Sequence, residues 1–473
     1  MPVFMKRLVA GLLGLVVLAT ALGAATWVFV LAPANATLPP PDFAAPRDAA
    51  EARVQDLTYL RRLPEIDRSF SPEETATFHT EIDRLIGVAN SIDGARFEMG
   101  VARAIALAGN GHTYLRAAPM GLSLNSLPLR FLWFDDGLFI VAAKVEHADL
   151  LGARILRLAG RAPEDLVPEL RPYVGGRETR ARLFSINFMT SPQALNAIGL
   201  APDPSALDLT LELADGSIAE RNVAADTASA ASDDAPRSPA LDLLPERLPA
   251  EDWRHVLAGV KPPLYLQQSG SLYFHAFPTP DTFYVAVRRT RDDEGKQKLG
   301  DFLDDALAQA RAKRPQTIIV DLRANTGGSY ETASTFTREL PKALAEGGRL
   351  FILVGPDTFS AGLVLAARLK YFGDGRAMLV GTEMGDDAQF WAEGGRLTLP
   401  NSKLMVRYST AYHDWSKGCG LADISRCHFI NYFQGVAAGD LSIELPVSST
   451  FSAYLSGGDP AMDAVARNKG SAQ

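Results

Sequence analysis

The chain has 473 residues, 47% of them hydrophobic, which supplies the apolar material for a large core and suggests about two to four domains rather than a disordered polymer. A formal net charge of −8, with no Lys/Arg-rich run interleaved with aromatics, excludes a general attraction to phosphate backbones, so nucleic acid is not an expected partner.

After Lys6 and Arg7 come 24 uncharged residues, Leu8 to Leu31. As a helix rising ~1.5 Å per residue they would cross the ~30 Å hydrocarbon layer of a bilayer. Basic residues before the segment and none just after place the N-terminus in the cytoplasm and the rest of the chain outside it. Ala34-Asn35-Ala36 has the pattern of a signal-peptidase site, but signal-peptide cores are shorter, about 7 to 15 apolar residues. Residues 1–36 are therefore read as an uncleaved anchor in preference to a signal segment. The expected location is the bacterial cell envelope, inner-membrane-anchored with the catalytic part in the periplasm or outside, or secreted if the segment is cut.

A proline-rich tether follows at 37–49. Residues 50–126 read as a helical cap. Ser71 and Glu74 have capping-box spacing ahead of an amphipathic run, and a second helix over roughly 96–108 stops at Gly109, just before NGHTYL. Residues 127–223 alternate strands and turns around a helix-like PEDLVPELRPYV, the pattern of a small α/β module. The polar, aperiodic stretch 224–245 reads as a linker.

The core, 246–473, has strands at 317–322, 349–354 and 377–381, with helices expected at about 330–346 and from Ser360 to about 372. Such alternation implies right-handed βαβ units and a parallel sheet, whose ligands gather beyond the carboxyl ends of the strands. Ser360, in GPDTFSAGL, stands at that edge between a strand and a helix. It is either a simple cap or a nucleophile whose developing charge meets the positive end of the helix. The amide of Ala361 and those of Gly327 and Gly328 in ANTGGS are candidate oxyanion donors, though two glycines also make an ordinary turn.

A serine nucleophile needs a base. His112, leaving a helix in a glycine-rich turn, is the candidate among the seven histidines, whereas His79, His147, His255, His275 and His413 have no supporting motif. Lys370 is ten residues along the Ser360 helix, ~15 Å away by helical rise and out of reach. Glu383, in GTEMGDDAQF, is the preferred carboxylate to orient the base, with solvated loop acids as the ordinary alternative. Phe359, Phe390 and Trp391 either shape a pocket or belong to the core. Cys419 and Cys427 are close enough in sequence to close a disulfide loop in an oxidising compartment, or stand as two thiols; with only His428 beside them they do not make a zinc site.

With these residues in place the chain resembles, over roughly 55–465, the tail-specific (C-terminal-processing) serine peptidases, in particular their tricorn-like branch. GNGHTYL, TIIVDLRANTGGS, GPDTFSAG, GTEMG, LPNSKLMVRYSTAY and YLSGGDPAMDAVAR stand in the family's order. One branch takes its base from a lysine downstream of the serine, which TEMGDDAQF lacks; the other uses an N-terminal histidine, which His112 matches. The resemblance implies Ser360 as nucleophile, Gly328 and Ala361 as oxyanion donors, and a crotonase-like βαβ spiral preceded by the helical cap and a PDZ-like module. It implies a peptide or protein substrate and no metal or organic cofactor. Gly111 stands where tricorn often has a serine, which leaves the acidic helper open among Glu383, Asp414 and Asp440. Two other readings share the fold: a binding protein that recognises peptides or an envelope partner without catalysis, and a crotonase-like acyl-transfer enzyme acting on thioesters.

Overall fold

The computed structural model describes residues 35–116, 124–226, 241, 244–249 and 251–469, together with Leu15, Ala19, Thr20 and Gly23. Apart from those four residues the apolar segment Leu8 to Leu31 lies outside the described residues, as does most of the linker; among the described residues no helix is long and apolar enough to cross a membrane.

The cap consists of α1 (Ala49–Leu60), α2 (Pro72–Val88) and α3 (Gly94–Ala106). Ser71 and Glu74 form the expected capping box on α2, and Asp93 caps α3 through the Arg96 amide. Leu57, Leu60, Phe78, Ile82, Val101 and Ile105 pack between these helices with Leu397, Val406 and Tyr408, so residues some three hundred positions later complete the cap's core. The link is a strand pairing. β1 (Tyr114–Arg116), just after His112, runs antiparallel to the later strand Met405–Tyr408, with Leu115 opposite Val406.

The middle segment is an antiparallel sheet of β2 (Leu129–Phe134), β3 (Gly137–Lys144), β4 (Arg154–Leu158), β5 (Ala206–Glu212) and β6 (Ile218–Ala224), in that order. The helices α4 (Pro163–Leu170), α5 (Glu178–Met189) and α6 (Pro192–Ala197) belong to it, and β7 (Trp253–His255), from beyond the linker, pairs with β3.

The core sheet is formed by β8 (Tyr273–Thr279), β9 (Thr282–Val287), β10 (Thr317–Asp321), β11 (Arg349–Val354), β12 (Ala377–Gly381) and the short edge strand β17 (Leu445–Pro446), in the order β17-β12-β11-β10-β9-β8. All its pairings are parallel except β8 with β9. α7 (Leu299–Lys313) precedes β10, and α9 (Ala361–Phe372) connects β11 to β12. The single helix expected over 330–346 is instead 3-10 turns flanking a short α8 (Ser334–Glu339), because Pro341 cannot continue the α-helical hydrogen bonds. Between β12 and β17 lie two antiparallel units, β13 (Gln389–Ala392) with β16 (Ala411–Asp414), and β14 (Gly395–Thr398) with β15 (Met405–Tyr408). α10 (Phe451–Leu455) and α11 (Pro460–Lys469) end the described chain. Phe451 stacks on Phe139 with ring centroids 4.2 Å apart and joins Phe134 and Tyr454, which ties the middle sheet to the C-terminal segment.

One buried ionic group spans the core. Arg323 donates to both oxygens of Asp459 at 2.9 Å and to both oxygens of Asp321, and Tyr284 Oη donates to Asp321 Oδ2 at 2.8 Å. Burial alone depresses the Arg323 guanidinium, but Asp321 and Asp459 outweigh it and hold the group well above its ordinary range. Arg323→Met leaves two buried carboxylates facing each other, and is expected to cost about 3–5 kcal/mol in urea unfolding. The triple change with Asp321→Asn and Asp459→Asn should recover most of that loss; equal losses in the single and triple variants would mean that packing, not charge, sets the cost.

His255 supplies a pH dependence. Its ring is buried and its Nδ1 accepts the Leu257 amide at 2.9 Å; desolvation lowers its pKa to about 4. The unfolded chain, with an ordinary value near 6.5, binds the proton first as pH falls. Stability is therefore full above pH ~6.5 and declines between there and pH ~4, by about 3 kcal/mol for this group. His255→Asn keeps an acceptor without titrating, so its urea midpoint should fall less than wild type's between pH 7 and 4. Parallel curves would refute the assignment.

Candidate active site

Ser360 stands between β11 and α9 with φ +55° and ψ −123°, a conformation that non-glycine residues rarely adopt and that is maintained only when the surroundings over-determine it. They do so here. Thr358 Oγ1 donates to Leu322 O at 2.8 Å and accepts the Gly355 amide at 3.0 Å, and the Phe359 amide donates to Asn325 O at 2.9 Å. The serine turn is thereby laced to the loop leaving β10. Asn325 in turn holds Val287 O through its Nδ2 and the Gly327 amide through its Oδ1.

That last bond separates the three candidate oxyanion donors. The Gly327 amide is engaged by Asn325, whereas among the described residues those of Gly328 and Ala361 donate to no protein acceptor. Gly328, at φ +138°, bridges Thr290 through its neighbours: Thr290 N–H donates to Gly327 O and Ser329 N–H to Thr290 O. In a parallel bridge of this kind the central residue's own N–H faces away from the partner. A Cβ at Gly328 would lie 2.3 Å from Thr290 O, and one at Gly327 2.8 Å from Ser360 Cβ, so the loop approaches the serine this closely only as glycine.

His112 is 7% exposed and lies between two rings, Phe359 at 4.4 Å and Phe390 at 5.0 Å between centroids. Its segment is fixed by a buried polar cluster. Thr113 Oγ1 donates to Asp67 Oδ2 at 2.6 Å, and Asn110 Nδ2 to Ser409 Oγ at 3.0 Å. Burial raises the Asp67 carboxyl, against hydrogen bonds from Ser69, Thr113 and Ser409 that favour the ion. A Cβ at Gly111 would come within 3.1 Å of Phe359 and 3.2 Å of Arg180, so the serine that the resemblance puts there would require these two side chains to give by a few tenths of an ångström.

The carboxylate beside the imidazole is Asp386. One of its oxygens, Oδ2, is 2.8 Å from His112 Nε2 and accepts the Ser360 amide at 3.0 Å. Glu383 points elsewhere: its side chain is 68% exposed and meets Arg177 at 3.1 Å and Thr179 at 3.3 Å. Asp414 accepts from Ser416, Lys417 and Gln389, and Asp440 from Ser442. The sequence signal for Asp386 is Gly385. A Cβ there would be 2.1 Å from Pro356 O, so a glycine lets this loop touch the serine turn, where the Gly385 amide donates to Thr358 O. Among the described residues no hydrogen bond joins Ser360 Oγ to His112; the two residues meet through Asp386.

Arg180, brought in by α5, is 9% exposed and lies 4.0 Å from the Phe359 ring and 4.4 Å from that of Phe184. Burial lowers its pKa, and Tyr114, Asp386 and Asp357 counter this. Burial also raises the Asp387 carboxyl, in spite of Arg177 beside it. A cleft of about 830 Å³ opens next to Asp386, with Leu363, Thr382, Met384, Leu441, Ile443 and Val447 among its walls. Cys419 and Cys427 form a disulfide.

No protein-family model and no curated protein matches this chain. Among solved structures, mature CPAF complexed with lactacystin matches with a TM-score of 0.56 at 12% identity, over 89% of this chain and 98% of its own. Mature CPAF alone gives 0.53 at 11% identity, over 89% and 97%. The photosystem II D1 C-terminal processing protease aligns over 86% of this chain and 98% of its own at 12% identity, with a TM-score of 0.33. What these likenesses establish is the fold, a mixed α/β architecture that this chain shares with mature CPAF over nearly its whole length.

Proposed function

We propose that this protein is a serine peptidase of the tail-specific kind, with Ser360 as nucleophile and His112 as base. The observation that carries the reading is the shared Asp386 oxygen, which holds the His112 ring and the Ser360 backbone in one place. A carboxylate on Nε2 favours the tautomer with the proton there, leaving Nδ1 bare to take the Ser360 proton. Ser360 Oγ then attacks the peptide carbonyl, His112 returns the proton to the leaving amine, and water completes the cycle by the same route. The Gly328 and Ala361 amides, the latter at the first turn of α9, hold the tetrahedral oxyanion. The cleft beside Asp386 has the size to take an extended peptide.

The finer parts of the reading come from the sequence. The core is proposed as a crotonase-like spiral, the middle segment as a PDZ-like module that takes peptide ends by strand addition, and Leu8 to Leu31 as an inner-membrane anchor with the catalytic part outside the cytoplasm. A second reading, peptide binding without hydrolysis, is favoured by one observation: Asp386 engages both the imidazole and the Ser360 amide while no hydrogen bond joins Ser360 Oγ to the ring.

A fluorophosphonate probe decides between them. The peptidase reading expects labelling of wild type that is lost in Ser360→Ala and His112→Ala. Wild type labelled no better than either variant, with saturable peptide binding that survives Ser360→Ala, would establish the second reading. Membrane fractionation of cells expressing the full chain, with and without residues 1–36, tests the anchor.

A further inference from the structure

We propose that Glu393, His413 and His428 bind one divalent transition-metal ion of the zinc class, beside the candidate active site but separate from it. One donor atom from each of the three lies within 4.8 Å of the others. Glu393 follows β13 in a turn at φ +59°, His413 stands on β16 opposite Phe390, and His428 comes directly after the disulfide-bonded Cys427. The His428 amide donates to Tyr412 O at 2.8 Å, so its backbone is fixed to the same strand as His413.

The geometry points to an ion rather than to a simple pair of charges. The His413 side chain is 0% exposed and its Nε2 lies 3.3 Å from Glu393 Oε1. The alignment makes no hydrogen bond, however, so Nε2 is a buried polar atom without a hydrogen-bonding partner. Two donors of a tetrahedral ion, each bonded at about 2.0–2.1 Å, are held roughly 3.3 Å apart, which is the separation found here. The surrounding groups fit as well. Asn431 Nδ2 is 3.1 Å from His413 Nδ1, and Asn431 Oδ1 is itself buried with no donor. Half a turn of that amide lets Nδ1–H donate to Oδ1 and leaves Nε2 bare for an ion, the arrangement usual for a ligating histidine. Tyr330 Oη stands 3.3 Å from His428 Nδ1.

Two imidazoles and one carboxylate suit zinc, while calcium and magnesium prefer all-oxygen sites. Three protein ligands leave a fourth position open. The Phe390 ring separates the site from the base, with its centroid 4.9 Å from that of His413 and 5.0 Å from that of His112. The ion therefore takes no part in the acyl transfer proposed above, and the site stands or falls independently of it. The sequence did not disclose it, because its three ligands come from separate segments, a turn after β13, strand β16 and the loop after Cys427, and no short motif joins them.

The test uses the protein without a polyhistidine tag and with its disulfide intact, stripped with chelator and dialysed against Zn²⁺ or Co²⁺. Elemental analysis should give one Zn²⁺ per chain, and Co²⁺ should give the visible d–d absorption of a tetrahedral site. Glu393→Gln and His428→Ala, chosen because neither residue is fully buried, should each weaken binding by at least ~100-fold with circular dichroism unchanged, while Ser360→Ala should bind as wild type does. Wild type holding less than one-tenth of an ion per chain, or both ligand variants binding as tightly as wild type, would overturn the assignment and leave the cluster an ion pair only.

Discussion

Ser360→Ala and His112→Ala should each lower kcat for a quenched fluorescent peptide by roughly 10⁶-fold, and the double variant should be no slower than either single one. The non-additivity follows from the division of labour. A hydroxyl without a base is a weak nucleophile, and a base without the hydroxyl has nothing to activate, so losing either removes the whole covalent route. What survives is the binding and oxyanion contribution of Gly328 and Ala361, about 10³–10⁴ over water, which is why the variants should retain measurable turnover. The geometry supports treating the residues as a unit, because His112 is held between Phe359 and Phe390 while Phe359 precedes the nucleophile in the chain. Single variants that lose only tenfold each, with a double variant at a hundredfold, would mean that the two act separately and that the proposed pairing is wrong.

Why Ser360 and His112 were legible in the sequence while their partner was not is a question of local against distant information. Ser360 stands at a strand-to-helix switch and His112 beyond the helix end at Gly109, patterns of about ten residues each that single the two out as candidates, while their roles as nucleophile and base came from the resemblance. The parallel strands β10, β11 and β12 were readable for the same reason, as short apolar runs bounded by turns. Asp386 has no such signature. It sits in a loop with Glu383 and Asp387, and what selects it is Gly385 packing on Pro356 and Thr358, a contact between segments that no periodicity encodes. The pairing of β1 with β15 is equally silent, since neither short strand identifies its partner. The helix α7, amphipathic but without a side-chain cap on its first turn, also went unread.

Asp386→Asn is the variant that tests what the structure adds, and it should lower kcat by roughly 10³–10⁴-fold at neutral pH with little change in stability. The substitution keeps the shape but removes the charge. Because one oxygen makes both contacts, an asparagine there presents either its oxygen or its NH₂ group to the Ser360 amide and the ring together; the NH₂ would oppose the amide donor and favour the tautomer whose bare nitrogen faces position 386 instead of the serine. The imidazolium formed when Ser360 gives up its proton also loses the carboxylate that stabilises it. Glu383→Gln supplies the contrast. Its carboxylate is 68% exposed and engaged with Arg177 and Thr179, so neutralising it removes one solvent-screened ion pair, and kcat should stay within about threefold of wild type. Steady-state rates for the two variants, measured on one peptide with fluorophosphonate labelling in parallel, separate the possibilities. If Glu383→Gln were the slower enzyme and Asp386→Asn retained most of the wild-type rate, then the carboxylate that assists His112 during turnover would be one that the chain must move into place, and the Asp386 contact would belong to the resting protein alone.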